Sequence, residues 1–399
     1  MSMIYLDHAA ATPMSRKALL AMEPYFSEQF FNPSSPYLPA KHVRDNYEYA
    51  KKTIAHSIGA KSADLVITAG ATESINLAFT SVKAAELEPD ILPEILILST
   101  EHSAVVSAAA SVARETGAVV KEIAVDRTGL IDLVDFRNKL SDKTVLVSVS
   151  LANNELGTIE PLSEIARIIA EERNNRLKSG NITPIYLHSD ASQALNLMDI
   201  SVARLGVDML TINAAKIGGP KAVGALYFAH EVKLQPIIAG GGQELGLRSG
   251  TENVPGVMGF AAAVEELKTH LSGNRKKYQA LVTILKNELS KCQVEPIFLG
   301  NKKHQLANFC PVCFPGIDAE RLVFLLEDQE VYVSTGAACA ANKGTASRVL
   351  TAIGLNDQEI AGSLRISLGV LNDEQNVRLS GQIIRETVEK EAKRVKNEY

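Results

Sequence analysis

The feature that most constrains this 399-residue chain is a rhythm between about residues 60 and 230, where short β-rich runs alternate with helix-length amphipathic stretches. The runs include Leu65-Val-Ile-Thr68, Ile95-Leu-Ile-Leu-Ser99, Thr144-Val-Leu-Val-Ser-Val149, Ile185-Tyr-Leu-His188, Asp208-Met-Leu-Thr-Ile212 and Gly224-Ala-Leu-Tyr-Phe228. Segments of helical length, such as Ala71 to Glu86 and Leu162 to Arg173, lie between most of them. That alternation predicts an α/β fold, a mostly parallel sheet covered by helices on both faces. Ligands of such sheets sit at the carboxyl ends of the strands.

From about residue 265 the pattern changes to a long polar helix (Asn274 to Lys291), further strands, a helix over Ala319 to Glu327 and a charged helix from about Glu374. This predicts a second, smaller α+β domain. The stretch Gly240-Gly-Gly-Gln-Glu-Leu-Gly-Leu-Arg-Ser-Gly250 before it reads as a loop of special backbone positions. No internal repeat or low-complexity segment interrupts the chain.

Composition narrows the function classes. With 46% hydrophobic and 22% charged residues the chain is an ordinary globular protein and not a disordered one. A net charge of −5 argues against nucleic acid as principal partner, and the basic run Asn274-Arg-Lys-Lys277 reads as solvated surface. The longest apolar runs, such as Val254 to Val264, fall short of the roughly 18–20 residues that span a bilayer. Asp7 lies where a signal peptide would be apolar, so a cytoplasmic protein without membrane contact is expected. Four cysteines are too few for a disulfide framework. Cys310 and Cys313 form a C-x-x-C, which supplies only two of the four ligands of a structural zinc site. In a strand the two face opposite sides, so they and Cys292 read as structural filler and no metal site is expected.

Lys216 follows a strand directly and precedes Gly-Gly-Pro, which places its amine on a tight turn at a strand's carboxyl end. Partly desolvated there, it can act as a Schiff-base nucleophile; taken alone, a surface lysine is the default reading. Asp190 lies just past the preceding strand, 26 residues upstream, about one strand–helix–strand unit away. A lysine and a carboxylate so placed are the two groups a pyridoxal phosphate site needs, one for the Schiff base and one for the ring nitrogen. Gly70-Ala-Thr-Glu-Ser74 joins a strand to a helix, where backbone N–H groups and the Thr72 hydroxyl can hold a phosphate. His102 occupies the same place after the next strand, where an imidazole can stack on a planar ring. Singly, Thr72 could be a helix cap and His102 a buried structural histidine; together the four groups point to one site.

The chain resembles the cysteine desulfurases of the NifS/IscS type, in the class V aminotransferase group of fold type I pyridoxal phosphate enzymes. The stations run in order from Tyr5-Leu-Asp-His-Ala-Ala-Ala-Thr-Pro13 through Asn32-Pro-Ser-Ser35, Gly70-Ala-Thr-Glu73, Glu101-His102 and Asn153-Asn-Glu-Leu-Gly157. They continue with Asp190-Ala-Ser-Gln193, Lys216-Ile-Gly-Gly-Pro-Lys221, Arg248-Ser-Gly-Thr-Glu-Asn253, Ser334-Thr-Gly-Ala-Ala-Cys339 and Arg365-Ile-Ser-Leu-Gly369.

The resemblance implies a seven-stranded, mostly parallel sheet in a large domain over 15–264, with 1–14 and 265–399 forming the smaller domain that carries the cysteine loop. It also implies roles. Lys216 forms the Schiff base and shuttles a proton, Asp190 pairs with the ring nitrogen, and Gln193 bonds the ring oxygen. His102 stacks on the ring; Ala71, Thr72 and Asn213 belong to the cofactor's surroundings, and Thr251 reaches the phosphate of the neighbouring subunit in a homodimer. Arg365 clamps the substrate carboxylate with Asn154 beside it, and Cys339 accepts sulfur. L-cysteine is then converted to L-alanine, and the persulfide passes to an acceptor protein for iron–sulfur assembly or tRNA thiolation.

The sequence departs from the family pattern where Asn213 and Ala215 replace the usual Ser-x-His, where Leu245 replaces an arginine, and where Ala11 replaces a threonine. Cys339 lies among small residues in Gly336-Ala-Ala-Cys-Ala-Ala-Asn-Lys-Gly344, which reads as a loop tip and not as core. Three other readings stay open: a selenocysteine lyase, an aminotransferase for a small amino acid, and a non-catalytic scaffold, the last supported only by Ala215.

Overall fold

The computed structural model describes residues 3–87, 91–336 and 347–397. Seven of its strands form one sheet: β2 (Leu65–Thr68), β3 (Glu94–Leu98), β4 (Val119–Ile123), β5 (Thr144–Ser148), β6 (Tyr186–Asp190), β7 (Met209–Asn213) and β8 (Gly224–Phe228). Their order across the sheet is β2-β8-β7-β6-β5-β3-β4. β8 runs antiparallel to both its neighbours, and every other pairing is parallel. β2 and β5 are buried along their whole length, because helices cover both faces of a parallel sheet and leave no polar side. The apolar side chains fall accordingly into two main clusters, one on each side.

β4 is the strand that the apolar-run reading does not name. Its sequence, Val-Val-Lys-Glu-Ile, is polar in the middle and half exposed, as suits a sheet edge. Across β5, β6 and β7 the sheet interior carries one polar row: Ser148 Oγ lies 2.9 Å from His188 Nδ1, and His188 Nε2 lies 3.0 Å from Thr211 Oγ1. Burial pushes His188 down to about 3, so this row is neutral and fully hydrogen-bonded, which is what a buried polar group requires.

The remaining strands are short. β1 (Ile4–Tyr5) pairs in parallel with β11 (Val331–Tyr332), while β9 (Ile297–Phe298), β10 (Val312–Cys313), β12 (Ser334–Thr335) and β13 (Ser363–Arg365) make an antiparallel sheet of order β12-β13-β10-β9. The helix expected over Ala319–Glu327 is present, and so is the terminal one from Glu374. Cys310 is buried in the main core, whereas Cys313 is buried in a separate cluster beside Leu350; the pair faces opposite ways and is packing, as expected.

The helix expected to begin at Asn274 begins instead at Val254 and runs unbroken to Leu289, 36 residues or about 54 Å. The residue 264/265 boundary therefore falls inside a helix and not in a linker. Gly273 lies inside that helix, and a helical glycine costs about 1 kcal/mol. Packing outweighs that cost: Leu267 and Leu271 before the glycine and, in phase seven residues on, Tyr278, Leu281 and Leu285 after it keep the helix against Arg16–Met22, Leu38–Ser57 and Glu374–Asn397.

Candidate active site

The carboxyl ends of β2, β3, β5, β6 and β7 open on one cleft of about 390 Å³. Ala71, Thr72, His102, Asn154, Asp190, Gln193, Asn213, Lys216 and Arg365 all line it. Thr251 is exposed and does not line this cleft. Cys339 lies outside the described residues.

Each side chain is placed by local sequence chemistry. After β7 the chain makes a single 3₁₀ turn, Ala214–Lys216, capped by Asn213, whose Oδ1 accepts the Ala215 N–H at 3.2 Å. The amide nitrogen of Asn213 stays available to the cleft. Thr12 braces the far side of the turn by donating to Ala215 O and accepting from Gly218 N, both at 2.9 Å. The Lys216 amine donates to Ala9 O at 2.8 Å and Ala10 O at 2.6 Å, so the N-terminal segment holds it at the cleft.

Asp190 ends β6, with Oδ1 accepting the Ser192 N–H at 2.9 Å. Gln193 donates to Ala9 O at 3.0 Å. Across the cleft, Ala71 and Thr72 open a 14-residue helix whose N-cap, Gly70, offers no side chain to the first-turn N–H groups. Gly70 has φ +135°, outside the range of ordinary side chains. Gly224 of β8 lies so close beneath it that a Cβ there would meet the Gly70 backbone at 2.8 Å.

His102 is the N-cap of the Ser103–Thr116 helix. Its Nδ1 accepts the Ala104 N–H at 3.1 Å, so the neutral ring carries its proton on Nε2. Burial lowers its pKa, Lys216 and Arg365 add to the effect, and Asp190 opposes it. The ring is thus uncharged at neutral pH. Behind it Glu101 is buried and takes both the N–H and the hydroxyl of Ser150. Burial pushes Glu101 up to about 8.

Arg365 is 5% exposed, and its Nη2 bonds Asp7 Oδ1 at 2.8 Å while Nη1 reaches Asn154 O at 3.3 Å. Its Nε is buried without a partner, a donor left for something that is not protein. Asp7 also lines the cleft and is the residue that sequence reasoning left without a role. The only available signal was its place in the Tyr5–Pro13 motif, since its partner lies 358 positions away. Burial raises the Asp7 pKa and Arg365 pulls it back.

The donor set fits a phosphorylated, cationic, planar cofactor. It offers free N–H groups at a helix start for the phosphate, a carboxylate at one end, an amine at a strand end and a neutral imidazole. The orphaned Arg365 Nε and its two flanking nitrogens suit a carboxylate, which takes two parallel bonds from a guanidinium. Among the described residues no group of three or more His, Cys, Asp and Glu is arranged to hold a metal.

The class-V aminotransferase family model matches residues 4–379. The chain is 35% identical over 387 residues to the cysteine desulfurase IscS of Methanosarcina thermophila, covering 97% of this chain and 92% of that one. It is 37% identical over 375 residues to cysteine desulfurase IscS 1 of Archaeoglobus fulgidus, with 94% of each covered. Among solved structures it superposes on a NifS-like protein with TM-score 0.86 at 31% identity, covering 96% and 98% of the two chains. SspA in complex with cysteine superposes with TM-score 0.77 at 31% identity, covering 92% and 98%. Fold, cleft and both kinds of likeness agree, and the chain belongs to the class-V aminotransferase family and, within it, to the cysteine desulfurases of the NifS/IscS kind.

Proposed function

We propose that the protein binds pyridoxal 5′-phosphate and desulfurates L-cysteine, releasing L-alanine and leaving the sulfur on Cys339 as a persulfide for an acceptor protein. The observation that carries this reading is the convergence of Lys216, Asp190, His102 and Arg365 on one cleft from four separate strand ends. When bound, the cofactor supplies an electron sink that weakens the bonds at the substrate Cα. Ala71, Thr72 and Asn213 would hold its phosphate, Asp190 its ring nitrogen and Gln193 its ring oxygen, with His102 beside the ring.

The chain's own groups do the rest. Arg365, fixed by Asp7, orients the substrate carboxylate through Nε and Nη2, with Asn154 beside it. Lys216 takes the Cα proton at Nζ and returns a proton to the product. The Cys339 thiolate forms a bond to the substrate sulfur as the Cβ–S bond breaks, and the electron pair of that bond stays with the carbon that becomes the alanine methyl. A thiol with an ordinary pKa near 8.5 is only a few per cent thiolate at pH 7, so a nearby acceptor such as the neutral His102 ring raises the rate.

A homodimer in the cytoplasm, feeding iron–sulfur assembly or tRNA thiolation, belongs to the same reading. Supporting the dimer are the large apolar side chains left exposed along the first sixty residues: Leu19, Leu20, Phe26, Phe30, Leu38 and Tyr49. They crowd one part of the chain, and a second copy is the occupant that would cover them. No described helix is long and apolar enough to cross a membrane.

The test is alanine released from L-cysteine by pyridoxal phosphate-loaded protein with a thiol reductant present. Wild type is expected to release alanine, and Cys339→Ser to release none while keeping the cofactor's absorbance. Normal alanine release by Cys339→Ser, as a selenocysteine lyase would allow, sinks the assignment of Cys339. No alanine from either protein leaves an enzyme for another substrate, such as an aminotransferase, or the scaffold reading.

A further inference from the structure

Between Gly240 and Thr251 the chain holds two consecutive non-glycine residues in the left-handed region, Glu244 at φ +44° and Leu245 at φ +62°. Such a pair persists only where the surroundings force it. Apolar packing does not supply the force, because Leu245 is 57% exposed. The loop is fastened instead by one carboxylate. Glu244 Oε1 accepts the Tyr47 hydroxyl at 2.6 Å, and Oε2 accepts the Lys51 ammonium at 2.9 Å and the Ile67 N–H at 2.7 Å. Lys51 and Glu244 are each only 6% exposed at the side chain.

The rest of the loop is braced around that point. Ser249 Oγ accepts the Gly242 N–H at 3.2 Å and Gln243 Oε1 the Gly250 N–H at 3.0 Å. Arg248 reaches Glu73, next to the phosphate-binding residue Thr72, at 3.2 Å. Glu252 lies close enough to Tyr47 for its charge to be felt there, so the clamp faces the residue following Thr251. A buried ion pair is a poor way to gain stability, since apolar residues of the same volume commonly do as well. What this one does is set a backbone conformation, and the conformation leaves Thr251 on the surface, away from its own chain's cleft.

We propose that Glu244, buried against Lys51 and Tyr47, is a positioning residue that fixes the 242–251 loop so that Thr251 meets the cofactor phosphate in the cleft of a second copy of the chain. The inference rests on the dimeric, cofactor-binding reading above and adds the device that makes the contact between subunits reproducible.

The test is a double-mutant cycle on the full-length protein, reading the pyridoxal phosphate dissociation constant by titration and the oligomeric state by light scattering. Thr251→Ala and Lys51→Met are each expected to weaken cofactor binding about tenfold in an intact dimer, and the double variant to be no weaker than about tenfold, because both remove the same contact. Cofactor-free Lys51→Met should also be cut faster within residues 242–250 by a non-specific protease than cofactor-free wild type. Unchanged affinity in Lys51→Met, or a double variant weakened about a hundredfold, the product of two independent losses, overturns the clamp. If Lys51→Met does not fold, Tyr47→Phe removes one bond only and is expected to weaken binding about threefold, with the same failure to add to Thr251→Ala; wild-type affinity in that variant overturns the clamp. A monomeric wild type, or wild-type affinity in Thr251→Ala, overturns the dimeric reading itself and this proposal with it.

Discussion

His102 shows how one residue serves fold and chemistry through different atoms. Its Nδ1 caps a helix, which leaves the ring face and Nε2 for the cleft. Asn is as good an N-cap as any residue, whereas Ala forfeits about 1 kcal/mol. His102→Asn should therefore unfold within about 0.5 kcal/mol of wild type while alanine production falls roughly a hundredfold or more. His102→Ala should lose both. Full turnover in the Asn variant, measured beside its urea curve, would reduce His102 to a cap. Arg365 separates the same way. Lysine keeps a charge for Asp7 but cannot offer a fork, so Arg365→Lys should raise KM for cysteine about 10–100-fold with kcat changed far less. Steady-state kinetics showing the loss in kcat instead would mean that Arg365 acts on the transition state and not on the carboxylate.

At the scale of elements, the phosphate end of the cleft depends on a contact between backbones. Gly224 begins β8 directly under Gly70, and a methyl group there would press on the Gly70 backbone at 2.8 Å. Gly224→Ala should tilt the start of the Ala71–Ala84 helix and weaken pyridoxal phosphate binding about tenfold, with the far-ultraviolet circular dichroism unchanged. Affinity equal to wild type would show that the turn yields without cost. This contact also marks what a sequence can and cannot tell. Six of the seven sheet strands were legible because burial on both faces writes them as continuous apolar runs. β4 was not, because it is half exposed and carries Lys121 and Glu122, unlike β2 at the other edge, which is buried along its length. Lys216, Asp190 and His102 were legible because each lies at or within a few residues of a strand's carboxyl end, and the α/β rhythm brings strand ends together. Asp7 was not legible beside Arg365, nor Glu244 beside Lys51, because those pairs join distant elements and leave no local pattern. The helix through residue 264 was read only from Asn274, because polar residues interrupt its apolar stripe between Leu271 and Tyr278 and the two halves do not read as one element.

For the molecule as a whole, buried acids and bases set opposing dependences on pH. Glu101 and Glu160 are both raised to about 8, mainly by burial, and Glu155 to about 7 for the same reason. Each holds more protons folded than unfolded in the range between its ordinary carboxyl pKa and its folded value. The stability they contribute is therefore present at low pH and lost as pH rises through about 7 to 8. His8 and His188 are lowered to about 4 and 3 by burial. Their sign is opposite: the unfolded chain takes up protons below about 6.5 and stability falls there. Between pH 6.5 and 8.5 the three carboxyls outweigh the histidines, whose unfolded forms shed their remaining protons there, and urea unfolding of cofactor-free protein should show stability declining as pH rises. Glu160 isolates the effect, because it lies away from the cleft lining, accepts only the Ile131 N–H at 3.0 Å and leaves Oε1 buried without a partner. Glutamine can accept the same N–H and cannot ionise. Glu160→Gln should flatten the decline by up to about 1.4 kcal/mol per pH unit, the most that one proton can contribute. Parallel curves for the variant and wild type would mean that Glu160 is already ionised at pH 6.5, and that something in the folded chain compensates a charge facing Glu101.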